Sequence, residues 1–135
     1  MSVEGIVIRK ATVEDLPILL GLERACFSKT RYTKDQIDLF LRGDNEETFL
    51  FFNGDDPVGS VMLSARGMKG KVVSIGVHPK WRKKGVAREL MATAEKWFAD
   101  SGATQVDLEV GAQNREALNL YSTLGYEVVK VLKGY

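Results

Sequence analysis

The chain has 135 residues, about one ordinary domain, and its 44% hydrophobic and 27% charged content is that of a globular protein with one core of moderate size. Nineteen Lys and Arg against eighteen Asp and Glu leave a formal charge of +1, so no global field draws the chain to nucleic acid or an anionic membrane, and any anion site must be local. The opening MSVEGIVIRK lacks a basic segment followed by a long apolar run, no window reaches the length of a membrane span, and the single cysteine excludes an internal disulfide and a cysteine-based zinc site; a cytoplasmic protein without metal is expected.

In chain order, GIVIRKAT alternates as a first strand, and TVEDLPILLGLERACF follows as an amphipathic helix with Thr12 as N-cap and apolar positions Leu16, Leu19, Leu20 and Leu22. A second helix is signalled by TKDQIDLFL, where Thr33 and Gln36 have capping-box spacing, and it should stop near Gly43. ETFLFFNGDDPVGSVMLSA reads as a hairpin turning at Asn53-Gly54, and GKVVSIGVHP as a further strand entered after a turn around Gly67 to Gly70. Val86, Leu90, Ala94, Trp97 and Phe98 share one face of a main helix from about Lys84 to Ser101, stopped by Gly102. TQVDLEV is then a strand, NREALNLYSTLG a short helix from Asn114, and YEVVKVL a last strand. The order β α α β β β α β α β predicts an α/β fold: a mixed, twisted sheet with helices on both faces, antiparallel in its first half and parallel across the βαβ unit from Val72 to Val110.

The stretch HPKWRKKGVARELM places basic residues and a glycine between a strand and a helix. The unpaired N–H groups and positive dipole end of a first helical turn can cradle an anion there, with Gly85 and Ala87 permitting close approach and Arg82, Lys83, Lys84 and Arg88 adding charge. Neither the Walker loop nor the three-glycine dinucleotide fingerprint matches. From its own residues the turn reads equally as a phosphate cradle or as a solvated basic helix start.

VHPKWRKKGVARELM resembles the acetyl-coenzyme A binding segment of the GNAT N-acetyltransferases, whose pattern of Arg or Gln, two residues, Gly, one residue, and Gly or Ala is met by Arg82, Gly85 and Ala87. LEVGAQNREALNLYSTLGY is similar to a second family segment, with Asn114 opening a helix, Tyr121 inside it and Gly125-Tyr126 after it. Together with ERACF and Tyr32, these segments are most similar to ribosomal-protein alanine and archaeal N-terminal acetyltransferases, although Gly111 stands where those relatives commonly carry Arg. The resemblance implies a single GNAT domain over residues 1–135, with the final family strand missing after Tyr135.

The same resemblance implies acetyl-coenzyme A as cosubstrate, held by Ile75, Gly76, Val77, Arg82, Lys83, Lys84, Gly85, Val86, Ala87 and Asn114. The strands from Ser74 to Val77 and from Gln105 to Val110 would flank its acyl arm, and amides near Val77 would polarise the thioester carbonyl. Glu109, opposite in its strand to the inward Val106, Leu108 and Val110, is either a solvent-facing charge or the base that takes the ammonium proton. Tyr121 shares a face with Ala117 and Leu124; it is a core aromatic by pattern and, by resemblance, the acid for the leaving thiolate, its phenol pKa of about 10 lying above a thiol's of about 8.5. Phe27, Tyr32 and Tyr135 would line the acceptor cleft. His78 lacks an evident partner in sequence, while Cys26, Trp81 and Trp97 read as packing residues.

The expected acceptor is the N-terminal α-amine of a protein or peptide, attacked directly, by a monomer or homodimer. A lysine or small-amine acetyltransferase and a non-catalytic acyl-coenzyme A-binding module are the alternatives.

Overall fold

The computed structural model describes residues 5–26, 32–108, 110–111 and 131–132. In order these form β1 (Ile6–Lys10), a 3-10 turn (Val13–Asp15), α1 (Leu16–Cys26), α2 (Lys34–Leu41), β2 (Glu46–Asn53), β3 (Asp56–Arg66) and β4 (Lys69–Val77). A second 3-10 turn (Pro79–Trp81) then leads to α3 (Val86–Ser101), β5 (Gln105–Leu108), β6 (Val110–Gly111) and β7 (Val131–Leu132). The expected helix from Asn114 and most of the last strand lie outside the described residues.

β1 to β5 form one sheet in chain order, antiparallel up to β4 and parallel between β4 and β5, so the predicted mixed α/β sheet is the observed one. Adjacent β2 residues point to opposite faces and seed two cores. Phe51 joins Val58, Val61, Leu63 and Val72 under the α3 residues Val86, Leu90, Met91, Ala94 and Phe98, while Leu50 packs with Leu19 and Leu22 of α1 and Ile37 of α2.

Local chemistry sets the helix boundaries. The Thr33 hydroxyl accepts from Gln36 N at 3.1 Å and the Gln36 carbonyl oxygen accepts from Thr33 N at 2.9 Å, the reciprocal box that the spacing predicts. Thr12 behaves differently: its hydroxyl donates to Glu14, and its N–H donates to Asp15 Oδ2 at 2.8 Å, so the first helix enters through a 3-10 turn. The Asp15 carboxylate also takes both terminal nitrogens of Arg9 at 2.7 Å, and the Arg9 guanidinium lies 4.9 Å from the centre of the Phe52 ring. Those hydrogen bonds from Arg9 hold the Asp15 carboxyl below its ordinary pKa, against the opposing effect of burial.

Three further details depart from the sequence expectation. The two residues looping between β2 and β3 are Gly54 and Asp55, since Asn53 still pairs with Asp56. α3 begins at Val86 rather than near Lys84, because Gly85 caps it in the left-handed conformation at φ 86°. On α1 the most buried positions are Leu19, Leu22 and Glu23, with Leu16 and Leu20 only half-buried.

Candidate active site

The parallel ladder between β4 and β5 runs from Lys69↔Gln105 to Val72↔Leu108 and stops there. Past that point the chain of β5 turns to a new partner: Val110 and Gly111 of β6 pair with Val131 and Leu132 of β7 in a separate two-stranded sheet. Among the described residues β4 has no partner on that side beyond Val72, while its other edge stays paired, Val61↔Ile75, Ser60↔Gly76 and Gly59↔Val77. The register against β3 also slips by one residue at Val73, since Met62 faces Ser74 but Leu63 faces Val72; such a bulge bends its strand and strengthens the local twist. The result is a wedge between β4 and β5 with one strand edge open from Ile75 to Val77 among the described residues.

That open edge runs directly into the basic turn. His78 donates its backbone N–H to Val58 O at 2.8 Å, and its ring Nδ1 accepts from Lys80 N at 3.2 Å, so this imidazole caps the Pro79–Trp81 turn. Lys83 adopts φ 62°, the one described non-glycine residue with positive φ, and Gly85 follows at φ 86°. A lysine in that region costs about 1–2 kcal/mol, and such strain collects where backbone amides must be aimed at a ligand. The first intrahelical bond of α3 is Glu89 N to Gly85 O, which leaves the N–H groups of Val86, Ala87 and Arg88 facing out of the helix start. Left-handed residues before a helix N-terminus make a concave, positively polarised backbone surface.

Close seating of α3 depends on Gly59. A Cβ there would stand 2.9 Å from Gly76 O and 3.2 Å from Leu90 Cδ1, so only a residue without one lets the first turns of α3 lie directly over β3 and β4.

Side chains on the α1 face of β4 complete the arrangement. Glu23 is only 3% exposed and Ser74 only 7%, and Ser74 Oγ donates to Glu23 Oε1 at 3.2 Å. The Tyr32 hydroxyl reaches the carbonyl of the bulge residue Val73 at 3.5 Å. Arg82 donates from Nε to Val77 O and from a terminal nitrogen to Cys26 O, both at 3.1 Å. Burial pushes the Cys26 thiol up to about 11, which disfavours its thiolate form.

The structure thus brings together part of the expected set. Ile75, Gly76 and Val77 offer backbone only, because the Ile75 and Val77 side chains pack on the α3 core and Gly76 has none. Val86 is likewise buried and can serve only through its amide, Ala87 is half-buried, and Lys83 and Gly85 are exposed. Lys84 Nζ lies 5.8 Å from the Trp81 ring centre, which gives that tryptophan a role in holding the turn. Arg82 is occupied by two carbonyls, a function its sequence context does not announce. Tyr32 sits beside the wedge, its hydroxyl next to Val73 O, whereas Phe27, Glu109, Asn114, Tyr121 and Tyr135 lie outside the described residues. Sequence reasoning missed Glu23; its signal was a carboxylate falling on the apolar face of a helix, one residue after Leu22 and four after Leu19.

These features fit acetyl-coenzyme A: an open strand edge for the amides of a pantetheine arm, and a concave, basic turn for a pyrophosphate. Among the described residues no three metal-ligating side chains cluster, and no helix is long and apolar enough to cross a membrane.

The model of the acetyltransferase (GNAT) family matches residues 16–126. Among solved structures, the ribosomal-protein-S18-alanine N-acetyltransferase from Escherichia coli superposes with a TM-score of 0.83 at 20% identity, covering 90% of this chain and 77% of that one. An aminoglycoside 6'-N-acetyltransferase from Acinetobacter haemolyticus gives 0.78 at 18% identity, with 96% of each chain covered. An aminoglycoside N-acetyltransferase in complex with CoA gives 0.77 at 20% identity, over 96% of this chain and 97% of that one. The neighbours share the fold, the family match spans most of the sequence, and the chain belongs to the GNAT family of acetyltransferases.

Proposed function

We propose that this acetyltransferase modifies the N-terminal α-amine of a protein or peptide, using acetyl-coenzyme A by direct attack. The observation that carries the coenzyme half is the continuity of the open β4 edge, Ile75 to Val77, with the left-handed turn at Lys83 and Gly85: one extended ligand can lie along both. Amides on that edge polarise the thioester carbonyl, and the basic turn takes the pyrophosphate.

Proton chemistry favours an α-amine as the acceptor. A peptide α-amine titrates near 8 and a lysine side chain near 10.4, so at neutral pH the α-amine is roughly a few hundred times richer in its nucleophilic form. Glu109 serves as the base that removes the remaining ammonium proton, and Tyr121 returns a proton to the departing thiolate. Tyr32 stands next to the bulge in β4, where the first residue of a peptide would arrive; Phe27 and Tyr135, outside the described residues, are the further side chains assigned to the acceptor in this reading. The neighbours include both an N-terminal and two aminoglycoside enzymes at similar TM-scores, so an aminoglycoside or other small amine is the second reading.

The deciding experiment incubates a peptide with a free N-terminus and one internal lysine, and its N-terminally blocked twin, with enzyme and acetyl-coenzyme A. Tandem mass spectrometry should place the acetyl group on the N-terminus and find the blocked peptide poor. Preferential labelling of lysine, or turnover of an aminoglycoside alone, would overturn the N-terminal assignment and leave acetyl transfer standing.

A further inference from the structure

On the reading above, the strand that would present the thioester loses its β5 neighbour beyond Val72 among the described residues. A β-strand held on one edge only is free to twist, and twist would swing its amides away from a carbonyl they must meet within a few tenths of an ångström. Two ties from α1 bracket this segment. Glu23 accepts the Ser74 hydroxyl at 3.2 Å at its start, and Arg82 joins Val77 O at its end to Cys26 O on the last turn of α1, each at 3.1 Å. Glu23 and Cys26 are separated by about 4.5 Å of helix rise, whereas Ser74 and Val77 are separated by about 10 Å of strand. The long arm of Arg82 spans the difference, so the ties converge on the helix like two legs of a triangle and resist rotation as well as translation.

A carboxylate at 3% exposure is a poor way to gain stability, since desolvating it costs several kcal/mol and an apolar side chain of similar size would pack the same space. What it supplies is direction: one fixed acceptor for the Ser74 hydroxyl, on a strand 51 residues away in sequence. We infer that Glu23 is a positioning residue for acetyl transfer, locking the open segment Ser74–Val77 of β4 against α1 so that its amides stay aimed at the thioester carbonyl. The inference rests on the reading of that edge as the acyl site. Arg82 closes the same brace from the coenzyme turn, so the bound coenzyme and the helix leading to the acceptor loop share one support.

The test reads the carbonyl directly. Isotope-edited infrared spectra of acetyl-coenzyme A labelled with carbon-13 at the acetyl carbonyl are compared free and bound, with binding measured separately by calorimetry. Wild type should lower the stretching frequency on binding. Glu23→Leu and Ser74→Ala should each lose at least half of that lowering, with the dissociation constant within about threefold of wild type. Glu23→Gln keeps an oxygen to accept from Ser74 and should restore most of it. Ser74→Ala removes a single oxygen and keeps the test alive if Glu23→Leu does not fold. Wild-type frequencies in Glu23→Leu and Ser74→Ala would overturn the brace while leaving coenzyme binding intact. Equal loss in Glu23→Gln and Glu23→Leu would overturn it too, since charge rather than the tie would then matter. Absence of acetyl-coenzyme A binding to wild type would remove the coenzyme reading and the inference with it.

Discussion

Gly59→Ala adds one methyl group at the place where β3, β4 and α3 meet. The new carbon would lie 2.9 Å from Gly76 O, 3.2 Å from Leu90 Cδ1 and 3.5 Å from Val86 Cγ1. Leu90 can swing its terminal methyl aside, but Gly76 O is main chain in a paired strand, so about half an ångström of separation must come from the backbone. Overpacking of this kind costs about 1–3 kcal/mol, which for a domain of this size lowers Tm by roughly 3–10 °C. The movement falls between the open edge of β4 and the first turn of α3, the two surfaces proposed to hold one coenzyme, so affinity should fall roughly 3- to 10-fold. Thermal unfolding followed by circular dichroism and calorimetric titration with coenzyme A measure both. A Tm within 1 °C of wild type would refute the packing argument. A lowered Tm with unchanged affinity would refute the claim that the seat of α3 on the sheet sets the coenzyme site.

The remaining expectations concern the turn, an ion pair and the two groups proposed as acid and base. Gly85→Val forces a β-branched residue to φ 86° and should weaken coenzyme A binding more than Lys83→Ala does, whereas Lys83→Gly relieves the φ of 62° and should raise stability by about 1 kcal/mol, seen as a higher Tm; the opposite order of losses in calorimetry would argue for charge over backbone. Asp15→Asn should cost about 1–2 kcal/mol at pH 7. Because Arg9 depresses the Asp15 pKa, that stability is fully present above the ordinary value of 3.8 and lost as pH falls through the folded one, so the Tm gap to wild type should hold from pH 8 to 5 and close in stronger acid; a gap that persists there would mean packing, not charge. Tyr121→Phe should lower turnover at least tenfold with coenzyme affinity unchanged, and Glu109→Gln should move the pH–rate profile toward alkaline; steady-state rates from pH 6 to 10 check both.

Much of the fold was legible because its signals are local. The Thr33–Gln36 box, the stop at Gly102 and the face from Val86 to Phe98 depend on residues three or four apart, and all three appear as read. The Asn53-Gly54 signal located its hairpin and missed the loop by one residue, since two neighbouring registers both place a glycine in the turn. The site was legible only as a backbone motif. The end of the β4–β5 ladder at Val72, the slipped register at Val73 and the burial of Glu23 are set by partners far away in sequence. Arg82 illustrates the same limit: its motif position suggests a phosphate contact, and nothing local announces that its guanidinium also bonds a carbonyl 56 residues back.

The sheet order β1-β2-β3-β4-β5 also has a kinetic side. β2, β3 and β4 are joined by two-residue loops, Gly54–Asp55 and Gly67–Met68, whose closure costs little entropy. The β4–β5 pairing must wait for a crossover through residues 78–104, with α3 formed and docked on Val58, Val61 and Leu63 before the short ladder at Lys69–Val72 can hold. This topology predicts that the wedge forms late in folding. Substitutions at the seat of α3 should then slow the recovery of coenzyme binding more than they slow the appearance of β structure, which stopped-flow circular dichroism and coenzyme binding during refolding would compare.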